Sequence, residues 1–171
     1  MRRLGTSAIA IALIITSSFI ENGLSQNGRP GVAIKNVRLN LPVKDGSVRF
    51  LVIGDTGSGA KEQHELAEVM LKYRQVFPYE FVLMMGDNLY GGETAKDYKA
   101  KFEDIYKPLL DTKVKFYASL GNHDESNQRF YDHFNMNGKE YYSFKKGKVA
   151  FYALNSNYMD QKQVKWIEDE L

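Results

Sequence analysis

Three short segments carry the residue types that could do chemistry: Gly54-Asp55-Thr56-Gly57, Gly86-Asp87-Asn88-Leu89-Tyr90 and Gly121-Asn122-His123-Asp124. Each follows an apolar run and opens on a glycine, which lets backbone approach backbone or ligand closely. Asp55 and Asp87 are carboxylates, and Asn122 adds a neutral amide oxygen. Two carboxylates brought together repel unless one is protonated or a cation lies between them. Tyr90, three residues after Asp87, can reach the same place as a phenolate if a strongly Lewis-acidic ion lowers its pKa. His123 is a candidate proton donor or phosphate contact, because histidine as a residue type can exchange a proton near neutral pH. Two ions a few ångströms apart could clamp a phosphate and activate water for in-line attack.

Elements must bring these loops together. Val48 to Ile53 reads as a strand ending at Gly54, Phe81 to Met85 as one ending at Gly86, and Val114 to Leu120 as one ending at Gly121. The short continuous apolar runs suit strands covered on both faces. Between the first two, a helix beginning near Ala60 presents Leu66, Val69, Met70 and Tyr73. Between the second and third, Thr94 and Asp97 form a helix-opening cap, followed by the stripe Tyr98, Phe102, Ile105, Tyr106 and Leu109. After the third strand, Ser126 is expected to cap a short helix with Phe130 and Phe134 inward. Tyr141 to Lys145 and Val149 to Leu154 read as a hairpin turning near Gly147. Asp160 and Gln163 open a last helix with Val164, Ile167 and Leu171 inward. Strand, helix, strand, helix, strand implies an α/β fold with a mostly parallel inner sheet. Ligand sites in such sheets lie at the carboxyl ends of the strands, where all three loops fall.

The 171 residues suffice for one domain with a substantial core, and a net charge of +2 without a basic tract argues against nucleic acid as partner. Cysteine is absent, so any metal must be held by oxygen and imidazole, which favours hard or borderline ions. Met1-Arg2-Arg3 followed by an apolar or small stretch to Ile20, then Gly23-Leu24-Ser25, reads as a signal peptide over 1–25. Its apolar core is short for a spanning helix, so no stable membrane span is expected after cleavage, and the protein is expected to be secreted or periplasmic. Residues 26–47 read as a leader segment lying along the domain edge, and 48–171 as the domain itself.

Taken together, Gly-Asp-x-Gly, Gly-Asp-x-x-Tyr and Gly-Asn-His-Asp, in this order and at these separations, resemble the calcineurin-like metallophosphoesterases. Tyr90 points to the purple acid phosphatase branch, of the small tartrate-resistant type. The resemblance implies an αββα sandwich, of which this chain holds the N-terminal part, with two metal ions at one edge. It implies that Asp55 and Tyr90 bind a ferric ion. Asp87 would bridge to a divalent iron, zinc or manganese ion, and Asn122 would bind that second ion. His123 would orient the phosphate or protonate the leaving group, with Asp124 beside it. Activated water would attack phosphorus directly, with no phosphoenzyme, and the partner would be a small phosphorylated substrate.

Two further motifs of that family, Val-x-x-His and Gly-His-x-His, have no counterpart here. The three histidines His64, His123 and His133 stand in other contexts. The expectation is a domain incomplete at its C-terminus, with four of the usual seven ligands, weak metal binding and incomplete activity. Acid phosphatase-like hydrolysis of phosphate monoesters is therefore set against a noncatalytic phosphate- or partner-binding remnant, and against a phosphodiesterase of the same superfamily. His64 reads as solvated and His133 as a surface residue. Asn155 and Asn157 could border the site or serve a loop, and Trp166 reads as packing. Gly54 to Lys61 approaches a phosphate-binding P-loop, but Ala60 intrudes before Lys61, and Asp55 puts a negative charge in an anion cradle.

Overall fold

The computed structural model describes residues 44–171, together with the strand Ala12–Ile15 (β1). Strand β1 and three further strands, β2 (Phe50–Ile53), β3 (Phe81–Met85) and β4 (Lys115–Ser119), form a four-stranded parallel sheet in the order β1-β2-β3-β4. The register aligns Ile53 with Met84 and Met84 with Ala118. The strands therefore end level, and Gly54, Gly86 and Gly121 emerge at one edge.

Alternating side chains divide the work of the two sheet faces. Leu51, Ile53, Val82, Met84, Phe116 and Ala118 enter a core with Ala67, Met70, Phe102, Ile105, Tyr106 and Leu109 from the crossover helices. On the opposite face, Phe50, Phe81 and Tyr117 meet Phe144 and Phe151 from the antiparallel hairpin β5 (Tyr142–Lys146) and β6 (Val149–Ala153). Outside the hairpin lies a helix over Gln161–Glu170, whose Trp166 packs on Tyr141 and Tyr152 at 5.1 and 6.3 Å between ring centroids. Helices, sheet, hairpin and helix follow one another in the layer order expected of an αββα sandwich.

The first crossover is α1 (Lys61–Val76). The second is α2 (Ala95–Tyr98), a π turn (Lys99–Glu103) and α3 (Asp104–Leu110). The apolar stripe foretold a plain helix there. The structure inserts a wide turn, where the Lys101 carbonyl accepts from Gln63 Nε2 at 2.7 Å. In order along the chain the last helix, Gln161–Glu170, is α4.

Other expectations need correction. Residues 126–134 form two 3-10 turns, Ser126–Phe130 and Asp132–Phe134, and the N-cap position of the first is Glu125 rather than Ser126, with no side-chain capping bond. Phe134 is buried as expected, but Phe130 is 62% exposed, because the three-residue repeat of 3-10 geometry rotates it off the inward face. Leu171 is 87% exposed, while Val164 and Ile167 are half-buried. The expected leader strand within 26–47 lies outside the described residues apart from the turn at Lys44 to Ser47. Ala12–Ile15, inside the segment read as a signal peptide, pairs in parallel with β2, and cleavage after Ser25 would free that edge of β2.

Candidate metal centre

Backbone locks the three loops to one another before any side chain acts. Asp55 N donates to Gly86 O at 3.1 Å, Gly57 N to Asp87 O at 3.2 Å, and Tyr90 N to Gly57 O at 3.0 Å. A Cβ on Gly57 would stand 2.2 Å from Asn88 O, and one on Gly121 would stand 2.2 Å from Asp87 N. Here glycine serves close approach, which explains why the motifs need it.

Asp55 and Asp87 both adopt left-handed backbone, with φ of 57° and 51°. Such a conformation is uncommon for residues other than glycine, and its cost is carried where the surroundings determine the geometry. It aims both carboxylates at Tyr90. The phenol donates to Asp87 Oδ2 at 2.8 Å and lies 3.4 Å from Asp55 Oδ1. Burial, followed by the hydrogen bond and charge of Asp87 and the weaker influence of Asp55, pushes the phenol well above its ordinary pKa. The phenol proton thus occupies the place between oxygens that a cation would take. Asp87 itself is buried, and its other oxygen accepts from His123 N at 3.2 Å. The His123 ring is exposed and sits 5.2 Å from the Tyr90 ring. Asn122 is exposed beside it.

The donor set suits a hard or borderline ion: two carboxylates and a phenol converge, with an amide on the neighbouring loop. Among the described residues, no group of three or more His, Asp and Glu side chains could hold a metal ion. Asp55, Asp87 and Tyr90 are brought together, whereas His64 and His133 are exposed elsewhere.

Asp124 is half-buried and lines the cavity beside Asn122 and His123. Its carboxylate accepts from Asn88 N (2.8 Å), Leu89 N (3.2 Å), Gly121 N (2.8 Å), Asn88 Nδ2 (3.0 Å) and Gln128 Nε2 (2.8 Å). It pins the Asp87 loop to the His123 loop.

Sequence reasoning missed the polar frame around these residues. Gln63, buried on α1, accepts from Gly59 N at 2.6 Å and donates to Lys101 O. Lys101 in turn donates to Tyr90 O at 2.8 Å and pairs with Asp97 at 3.1 Å. Gln128, fully buried, also donates to Glu93 Oε1 at 2.6 Å. A buried glutamine on an otherwise apolar helix face was the available signal for Gln63, but nothing in the chain's periodicity pairs it with Lys101. Asn155 is buried at the rim of a cavity of about 440 Å³ that also holds Asn122 and His123, and Asn157 Nδ2 donates to Leu120 O at 3.2 Å.

Residues 48–168 match the family described as calcineurin-like phosphoesterase. Purple acid phosphatase 7 of Arabidopsis thaliana is 39% identical over 124 residues, 67% of this chain and 35% of its own length. Purple acid phosphatase 17 of the same organism is 31% identical over 126 residues, 70% of this chain and 34% of its own. Human tartrate-resistant acid phosphatase type 5 is 30% identical over 88 residues, 46% of this chain and 27% of its own. The chain spans about a third of the length of the two plant relatives.

Proposed function

Because this chain belongs to the calcineurin-like phosphoesterase family, we propose that its strand-end site hydrolyses phosphate monoesters with the help of two metal ions. One observation carries this reading: the Tyr90 hydroxyl spans Asp87 and Asp55 at the level ends of parallel strands. The similarity to purple acid phosphatases supports the monoesterase and dinuclear details.

In this reading Asp55 and Tyr90 would hold a ferric ion, Asn122 would hold divalent iron, zinc or manganese, and Asp87 would serve both. The pair, when bound, supplies Lewis acidity toward the phosphate oxygens and activated water. The chain's own residues do the rest. Asp55 and Asp87 supply fixed negative charge, and Asp87 is held in place by the His123 amide. His123, exposed at the mouth, orients the phosphate and gives a proton to the departing alkoxide. Asp124 acts through the loops it joins, as a positioning residue. The apolar segment within residues 1–25 supports export to the periplasm or the exterior.

Turnover of p-nitrophenyl phosphate by iron- and zinc-loaded protein tests the reading. Asp87→Asn should reduce it by at least a hundredfold, because the charge between the ions is lost. Near-normal turnover in that variant would sink the dinuclear site. A noncatalytic phosphate-binding role is favoured by one observation, the lack of any group of three His, Asp and Glu side chains among the described residues. Phosphate binding without turnover of loaded protein would select it.

A further inference from the structure

Beside the site lies a second cavity of about 470 Å³, large enough for a small organic ligand. Its walls include Glu93, Tyr98, Glu125, Phe130 and Tyr131, and its floor the Gly91-Gly92 loop that follows Tyr90. Glu125 lines both this cavity and the one holding Asn122 and His123, so the two are neighbours. Among the described residues, no Lys, Arg or His lines it.

A phosphate group is repelled by Glu93 and Glu125, so this cavity suits the organic side of an ester. Glu93 is fixed in place: Oε1 accepts from Glu125 N at 2.9 Å and from Gln128 Nε2 at 2.6 Å. Its Oε2 has only a long contact, 3.5 Å, to the Tyr98 hydroxyl. The Tyr98 and Tyr131 rings lie 4.1 Å apart between centroids, tilted by 30°, and Phe130 stands exposed at the rim. Arg129 lies 4.6 Å from the Phe130 ring centroid but is paired with Glu140 at 3.2 Å, which offsets its charge. Carboxylates combined with aromatic faces, in the absence of a lining cation, are the chemistry that recognises an ammonium group.

We propose that this cavity receives the leaving group of the phosphoester and selects one bearing positive charge, a quaternary or protonated amine. The inference rests on the phosphatase reading for its place in a reaction. The phosphorus–oxygen bond to the amino alcohol breaks, water oxygen joins phosphorus, and the alcohol departs with a proton. The opposed charges of the substrate's two ends would then orient it, phosphate toward Asn122 and His123 and cation toward Glu93.

Two measurements on the full chain separate this inference from the phosphatase reading. In the first, choline is titrated into labelled protein and followed by NMR, beside its neutral isostere with a tert-butyl group in place of trimethylammonium. Choline should shift Glu93, Tyr98, Phe130 and Tyr131 and bind about tenfold more tightly than the isostere. The preference should vanish in the Glu93→Gln, Glu125→Gln double variant, whose thermal melt confirms folding. No choline binding, or equal binding of the isostere, overturns the proposal. In the second, kcat/KM of metal-loaded protein is compared for choline phosphate and the phosphate ester of the isostere. A tenfold preference for choline phosphate supports the proposal. Equal hydrolysis of both overturns it and leaves the phosphatase reading intact. Choline binding with turnover of p-nitrophenyl phosphate but of neither ester overturns the leaving-group proposal and leaves the phosphatase reading intact.

Discussion

Tyr90 bears directly on the metal-binding proposal. Its hydroxyl bonds Asp87 and approaches Asp55, and both carboxylates oppose ionisation of the phenol. An ion strong enough to displace that proton should reveal itself optically. Addition of ferric ion should produce a visible phenolate-to-iron absorption band, and Tyr90→Phe should lose the band while keeping the wild-type melting temperature within a few degrees. An iron-bound wild type without colour would remove Tyr90 from the ligand set. Asp124 invites the opposite test, because it accepts five hydrogen bonds from the two neighbouring loops and the buried Gln128. Asp124→Asn points an amide at those donors and should cost about 3 kcal/mol in urea unfolding. A variant as stable as wild type would show that the clamp contributes little.

At the scale of elements, the helical run after Tyr90 is the support of the site loop. Thr94 and Asp97 close a reciprocal cap, with the Thr94 hydroxyl and amide both bonded to Asp97 Oδ2 at 2.6 and 3.0 Å. The Thr94 hydrogen bonds and then Lys101 hold the Asp97 carboxyl down at about 2, below its ordinary 3.8. A carboxyl depressed by folding adds stability that is complete above its ordinary value and is lost as pH falls from there through about 2. Wild type should therefore melt above Asp97→Asn near neutral pH, and the gap should close as pH approaches 2. Because Asp97 is solvent-accessible, salt should narrow the gap as well. A gap independent of pH would show that the carboxylate's charge plays no part. The π turn that follows lets Lys101 face three ways at once, toward Gln63, Asp97 and Tyr90 O.

Across the whole molecule, aromatic packing decides whether the hairpin joins the sheet. Phe144 stacks on Tyr117 at 3.8 Å and on Phe151 at 5.0 Å, and meets Phe81 edge-on at 5.7 Å. Tyr142 adds a buried hydroxyl that donates to Ala118 O at 2.9 Å. Phe144→Ala should cost about 3 kcal/mol and loosen the hairpin before the parallel sheet. Native-state hydrogen exchange should then show β5 and β6 amides exchanging faster than those of β3. Equal loss of protection throughout would mean that sheet and hairpin unfold as one unit.

Much of this arrangement is written in the chain's local pattern. Apolar runs ending in Gly54, Gly86 and Gly121 determine parallel strands and a common edge, because a strand buried on both faces must be apolar throughout and a glycine must follow where backbones touch. The cap at Thr94, the cap at Asp160 and the turn at Gly147 were likewise legible, since each depends on residues within a few positions of one another. Only the tertiary structure decided the rest. The 3-10 geometry that exposes Phe130, the bond from Gln63 to Lys101, and the five donors gathered on Asp124 join residues far apart in sequence or depend on a local path that periodicity does not specify. The residue types at one strand edge were set by sequence. Which carboxylate meets Tyr90 and which one ties the loops together was set by the packing of backbone against backbone.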